Sequence, residues 1–329
     1  VVVEEAAEIL EAHIIGCLTP FTEHLILIGD HLQLRPSVAI NKLATDYHLD
    51  VSLFERLISG GVEHVTLEYQ RRMRPEISRL LRSLYPNLKD HDCVFNRKNV
   101  EGIRENVFFL DHRSEERRMF DSKSKVNIEE CHFVAELYLY MLKQGSYAIQ
   151  DITILTMYRS QMECIKNVLN KKLEELRSSC KIISDILMGP WSSQVACVDD
   201  YQGEESEIVI LSLVRNTFPG KDMESIGFLE NPNRVCVALS RARKGLYIFG
   251  NADLLASKSK LWQEILEDLR MCNGVGNCLT LVCSHHFLTE TKIYNANGFH
   301  QAIEGGCSQR SACVGLWASM SKDMSPWWS

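Results

Sequence analysis

Five short segments concentrate the side chains able to do chemistry. Glu4-Glu5 follows the apolar run 1–3 directly. Two adjacent carboxylates at a strand end could hold a magnesium ion and orient a water for phosphoryl transfer. The segment GDHLQLRP (29–36) sets an amide, Gln33, and a cation, Arg35, just after the apolar run 25–28. YQRRMRPEI (69–77) carries Arg71, Arg72 and Arg74, and a guanidinium matches phosphate geometry better than any other side chain. VDDYQGEESEIVILSLVR (198–215) holds Gln202-Gly203-Glu204-Glu205 between two apolar runs, and VALSRARKG (237–245) puts Arg241 and Arg243 at a helix end. Singly, each has an ordinary explanation. Acids at a helix start complement its dipole, Gly and Pro punctuate loops, and clustered arginines usually form a solvated face.

What favours chemistry is the framework that holds them. Apolar runs of strand length alternate with helical patterns along most of the chain. Strands are expected at 1–3, 25–28, 65–67, 152–155, 195–198, 207–214 and 246–250. Helices are expected at about 9–18, 51–58, 75–84, 128–143, 160–175, 231–243 and 260–270. Strands that are apolar on both faces and alternate with helices specify an α/β fold with a doubly wound parallel sheet. In such sheets ligands sit beyond strand ends, where all five segments fall. Residues 87–127 break the rhythm with a charged stretch that includes Arg113, Glu115, Glu116, Arg117 and Arg118, and read as a solvated insertion loop.

Bulk composition limits the alternatives. A chain of 329 residues allows two domains. With 45% hydrophobic and 24% charged residues it has the apolar content to build cores. The net charge of −7 argues against non-specific coating of a duplex, although a local basic groove is compatible with it. No run of roughly 18 apolar residues is present, and the acids of VVVEEAAE do not suit a signal peptide. Of the 12 cysteines, seven are scattered singly and read as reduced core residues, which fits a cytosolic or nuclear compartment. The other five crowd the sequence from residue 272 onward and mark a boundary near 271.

The five segments, in this order and spacing, resemble the later motifs of superfamily 1 helicases of the Upf-like branch: D-E-A-x-Q, G-D-x-x-Q-L-x-P, Q-Y-R-M-H-P, Q-G-x-E and V-A-L-T-R-A. A sixth piece, TMYRSQ (156–161), is similar to T-P-Y-x-x-Q. Together with EEAAE (4–8) they look closest to the NFX-type zinc-finger-containing helicases, strongly over residues 1 to about 270 and weakly on to EGGC (304–307). The resemblance implies RecA-like sheets. Residues 1–66 would form the C-terminal part of a first RecA-like domain, and 67–270 a second that bears the 87–127 insertion. Residues 271–329 would form a cysteine-rich tail at the start of a zinc-finger region, truncated in SQRSACVGLWASMSKDMSPWWS.

By resemblance, ATP and Mg2+ would occupy the cleft between these domains. Glu5 matches the glutamate that polarises the attacking water. Glu4 stands where the family usually has the magnesium-binding aspartate, so the ion would be held through water. Gln33 matches the γ-phosphate sensor, and Arg72 and Arg241 match the arginines that reach the same phosphate. Gly203 and Glu205 match the segment near the γ-phosphate and ribose, and Arg71 replaces a usual tyrosine. Single-stranded RNA would cross both domains and touch Arg35, Pro36, Thr156 and Tyr158. Cys283, Cys307 and Cys313 offer sulfur for Zn2+, although no C-x-x-C knuckle is present. No G-x-x-x-x-G-K-[ST] loop occurs, so the chain is expected to be an inactive portion of an ATP-hydrolysing helicase. The implied partners are small-RNA silencing machinery or an RNA-directed RNA polymerase complex. The implied location is cytoplasmic, with RNA granules or the nucleus as further expectations. Rival readings are a non-catalytic RNA-binding scaffold and a DNA helicase of the same superfamily.

Overall fold

The computed structural model describes residues 1–118, 124–179, 194–216, 225–282 and 290–299. Six strands form one parallel sheet in the order Val275–Gly276, Val107–Asp111, Ala242–Gly250, Ser206–Ser212, Ile152–Thr156 and Val195–Cys197. Side chains alternate across a strand, and this alternation divides the core in two. Ile208, Ile210, Tyr247 and Phe249 face the helices Ile128–Lys143 and Arg159–Ser179. Val209, Leu211, Leu246 and Ile248 face Pro232–Ser240, Ala252–Lys258 and Lys260–Met271. Covering both faces accounts for the unbroken apolar runs, and the result is the doubly wound, RecA-like α/β sheet the sequence specifies.

Near the start of the chain a smaller assembly gathers on its own two-stranded sheet. Val2–Val3 pairs in parallel with Ile26–Leu27, beside the helices Glu11–Gly16, Asn41–Tyr47 and Leu53–Ser59. The last of these is capped by the Ser52 side chain, which accepts from the Glu55 N–H at 3.0 Å.

The insertion reading of 87–127 is overturned in part. Val107–Asp111 is a buried strand of the main sheet, paired with Ala242–Gly250. Its apolar run is short and closely flanked by charges, so a solvated stretch masked it. Lys89–Asp90 also forms a strand, paired with Tyr69–Gln70. Residues 65–67 form no strand; Val65 and Leu67 lie 91% and 88% exposed, without a sheet neighbour to pair with. Downstream, Leu279–Val282 and Glu290–Ile293 make an antiparallel pair that the sequence pattern did not announce.

The cysteine expectation is met at Cys131, Cys197 and Cys236, which are buried free thiols, whereas Cys17 and Cys93 are exposed. Cys180 lies outside the described residues, as do the zinc candidates Cys283, Cys307 and Cys313.

Candidate functional site

Two loops of the smaller assembly press together backbone to backbone. The Ala6 N–H donates to the Ile28 carbonyl at 2.9 Å. A Cβ at Gly29 would lie 2.9 Å from the Ala7 nitrogen and 3.0 Å from that of Ala6, so only glycine fits there. Glu5 turns the chain out of this contact with φ +49°, in the left-handed region. Both Glu4 and Glu5 are exposed.

Asp30 then orders the neighbouring loop. One carboxylate oxygen accepts from the Leu32 N–H at 3.0 Å, and the other accepts from Gln33 Nε2 at 3.1 Å and the Tyr85 hydroxyl at 2.6 Å. Burial, with Cys236 and Asp30 nearby, pushes the Tyr85 hydroxyl far above its ordinary value, so it remains a donor. With its nitrogen committed to Asp30, Gln33 aims Oε1 at Arg241 Nη2, 3.2 Å away. Asn233, one residue inside the helix Pro232–Ser240, clamps the loop by donating to the carbonyls of His31 at 3.0 Å and Gln33 at 2.5 Å.

Both arginines expected to reach a phosphate converge on the end of that helix. Arg72 donates from Nε to Glu205 at 2.5 Å and from Nη1 to the Ser240 carbonyl at 3.2 Å. Gln70 shapes the Arg72 turn by accepting from the N–H groups of Arg72 at 3.0 Å and Met73 at 2.8 Å. Arg74 serves the scaffold: it is buried, paired with Glu76 and bonded to the Lys244 carbonyl. Arg71 is exposed.

Arg241 is 2% exposed. Its visible partners are neutral: the Glu204 carbonyl at 3.2 Å, Gln33 Oε1 and Ser240 Oγ. Its Nε has no partner. Burial, reinforced by the charge of Arg72, holds its pKa down to about 10. A buried cation with an idle donor fits an anion.

The Gln202–Glu205 segment closes the cleft. Gly203 has φ +84°, and among the described residues beyond its chain neighbours only Glu5 Oε1, at 3.9 Å, comes within 4 Å of its would-be Cβ. Gln202 donates from Nε2 to Glu5 Oε2 at 2.9 Å and accepts from the Leu34 N–H at 2.9 Å. Burial works to raise the Glu205 carboxyl, but the bond and charge of Arg72, with Arg243 and Arg97 near, bring it below the ordinary value. Burial, then Glu5 and Asp199, push Glu8 up. Among the expected nucleotide residues, Glu5, Gln33, Arg72, Gly203, Glu205 and Arg241 thus border one cleft. Gln202 opens the Q-G-x-E match, but the expectation fell on Gly203 and Glu205, and no role was assigned to its amide.

The expected nucleic-acid residues are placed differently. Arg35 is spent on Glu55 and on Asp50, at 3.5 Å, and Pro36 is buried. Thr156 is fully buried. Tyr158 is packed beneath a loop, its hydroxyl bonded to the Ile226 carbonyl at 3.5 Å and to Arg215 at 3.4 Å, with its ring 5.4 Å from Phe228. The reason is local: Val214, with φ +71°, carries Arg215 back over Tyr158. Among the described residues no group of three or more His, Cys, Asp or Glu is set to hold a metal. A magnesium ion on Glu4 would therefore need phosphate oxygens and water to complete its shell. Among those residues no helix is long and apolar enough to cross a membrane.

Comparison with known proteins places these features in context. A family model described as "AAA domain" matches residues 49–253. The chain is 45% identical over 318 residues to NFX1-type zinc finger-containing protein 1 of Mus musculus, covering 95% of this chain and 16% of that protein. It is 40% identical over 285 residues to the Schizosaccharomyces pombe helicase required for RNAi-mediated heterochromatin assembly 1, covering 85% of this chain and 26% of that one. It is 31% identical over 277 residues to an Arabidopsis thaliana homolog of regulator of nonsense transcripts 1, covering 81% and 20%. The chain therefore spans only about a sixth to a quarter of these relatives. Among solved structures, the PRRSV helicase aligns over 98% of this chain and 49% of its own, at 13% identity and a TM-score of 0.41.

Proposed function

From a chain that belongs to the AAA-domain family, in its Upf-like superfamily 1 helicase branch, we propose the following activity. This chain forms one side of an ATP-hydrolysing site that drives movement on single-stranded RNA. Residues 1–66 belong to one RecA-like domain and residues 67–270 to another. The observation that carries this reading is the convergence of Gln33, Arg72 and Arg241 from distant parts of the chain, with the buried Arg241 Nε unpartnered.

ATP is the substrate. Gln33 and Arg241 meet its terminal phosphate, and Arg72 adds a second positive charge as negative charge builds in the transition state. Glu5 holds the attacking water and accepts its proton. Gly203 and Glu205 border the nucleotide. Magnesium, when bound on Glu4, neutralises phosphate charge. The phosphate loop must come from outside this sequence, so the chain alone should not turn over ATP. Arg35, Pro36, Thr156 and Tyr158 remain the proposed RNA-contacting positions. For Thr156 and Tyr158 the contact requires the loop over Tyr158 to move.

The names of relatives concerned with RNAi-mediated heterochromatin assembly and nonsense transcripts support RNA over DNA and a role in small-RNA silencing, and an antiviral response is proposed beside it. We further propose silencing machinery or an RNA-directed RNA polymerase complex as partners, in the cytoplasm, its RNA granules or the nucleus. Zn2+ in the cysteine-rich tail is part of this reading. One observation favours a scaffold instead, namely Glu4 in place of the usual aspartate.

The test uses a protein carrying this chain together with a phosphate loop, wild type beside Glu5→Gln. The expected result is magnesium-dependent, RNA-stimulated hydrolysis in the wild type. The variant should lose it while still binding ATP and RNA. Absence of hydrolysis in the wild type overturns the enzyme reading in favour of the scaffold.

A further inference from the structure

Among the described residues, Gln202 is the one side chain of the sheet unit that hydrogen-bonds to both loops of the smaller assembly at once. Its amide nitrogen donates to Glu5 Oε2 and its amide oxygen accepts from the Leu34 N–H, each at 2.9 Å. These two bonds fix which way the amide points, because only the nitrogen can serve a carboxylate and only the oxygen can serve an N–H. Leu34 adjoins Gln33, so one amide links the Glu5 carboxylate to the loop that reads Arg241. Glu5 is otherwise exposed and sits on a left-handed backbone, a setting in which a carboxylate has several rotamers to choose from.

Resting on the reading of Glu5 given above, we infer that Gln202 is a positioning residue: it holds the Glu5 carboxylate in its working orientation from the opposite side of the cleft. Water activation then depends on the two parts of the molecule being docked. When they separate, the amide withdraws and Glu5 is released. The bond occupies Oε2 and leaves Oε1 facing the open space beside Gly203. The charged groups around the pair are Glu8, Asp199 and Arg241.

The two bonds can be separated by substitution. Gln202→Glu keeps an acceptor for the Leu34 N–H but replaces the donor to Glu5 with a like charge. Gln202→Met removes both. In the phosphate-loop-containing protein, Gln202→Glu should lower kcat at least about tenfold, with KM for ATP and RNA affinity within about twofold of wild type. The reciprocal swap Glu5→Gln with Gln202→Glu reverses the donor and acceptor. Gln202→Glu alone should lower the melting temperature of the nucleotide-free protein, and the swap should restore it without restoring turnover. Wild-type kcat in Gln202→Glu with loss in Gln202→Met would reduce the residue to a tie on Leu34 and overturn the inference. So would failure of the swap to recover the melting temperature. If the wild-type protein itself does not hydrolyse ATP, the functional reading fails instead, and the melting-temperature rescue still reports on the contact.

Discussion

At the scale of single residues, Arg241 is a buried cation whose placement fits the proposed phosphate contact. Its guanidinium is 2% exposed, sees neutral partners and keeps one nitrogen unbonded. Burial first, then Arg72, depress its pKa to about 10 from 12.5. The unfolded chain therefore holds this proton more tightly than the folded one, and between those values stability rises with pH. At neutral pH the charge is present and costs the fold on the order of 3 kcal/mol. Arg241→Met, similar in length and uncharged, should consequently raise the urea midpoint of the ligand-free chain. In the phosphate-loop-containing protein it should depress hydrolysis by on the order of 10³-fold. A lowered midpoint would mean that the three neutral hydrogen bonds outweigh the buried charge. Arg72→Ala should cost a comparable factor in rate, but without the gain in stability, because Arg72 already has Glu205 as a counter-ion. Steady-state kinetics beside equilibrium unfolding distinguishes the two arginines.

At the scale of elements, the loops at the sheet edge depend on a few buried polar anchors. Asn127 caps the helix Ile128–Lys143 by accepting from the Glu130 N–H at 3.1 Å, and its Nδ2 donates to the carbonyls of Ser114 at 2.8 Å and Val214 at 3.3 Å. Val214 has φ +71°, a rare conformation for a β-branched residue. The Glu130 carboxylate helps hold it by accepting its N–H at 3.1 Å. Asn127→Ala removes a cap and orphans two carbonyls, which should cost about 2–3 kcal/mol in chemical denaturation. A loss under about 0.5 kcal/mol would show that water replaces these bonds. How far such elements can be read from sequence follows from the same physics. The strands Ser206–Ser212, Ile152–Thr156 and Ala242–Gly250 announce themselves because burial on both faces demands long apolar runs. Val107–Asp111 is equally buried, yet its run is short and lies in charged surroundings. Asn127 was invisible, since its two carbonyl partners are set by the fold and not by spacing. The arginine segments and the Q-G-x-E match point to the residues that meet here, whereas the two partners of the Gln202 amide, 197 and 168 positions away, are set by the fold and not by spacing.

At the scale of the whole molecule, the cleft exists only because distant segments dock. Gln33 and Arg241 are 208 positions apart in the chain, and Gln202 and Glu5 are 197 apart. Among the described residues, four side chains of the sheet unit hydrogen-bond to the 29–36 loop, whose Leu34 also packs in the core beneath the sheet: Tyr85 on Asp30, Gln202 on Leu34, Asn233 on the carbonyls of His31 and Gln33, and Arg241 on Gln33. Asn233 is the best probe of docking itself, because it holds backbone and no group assigned to chemistry. Its amide nitrogen serves two carbonyls at once, so Asn233→Ala should loosen the loop without unfolding the sheet, whose strands lie elsewhere. Hydrogen exchange measured on this chain should then rise across 29–36 by about tenfold, corresponding to one net bond of roughly 1–1.5 kcal/mol. Protection in Ser206–Ser212 should stay unchanged. On the proposed reading, in which RNA crosses both domains, the same change carried into the phosphate-loop-containing protein should reduce the ratio of RNA-stimulated to basal hydrolysis, because RNA then acts on Gln33 and Glu5 through this contact. Unaltered exchange in 29–36 would show that Tyr85, Gln202 and Arg241 hold the loop without Asn233. Faster exchange throughout the sheet would show instead that closure and folding are one event.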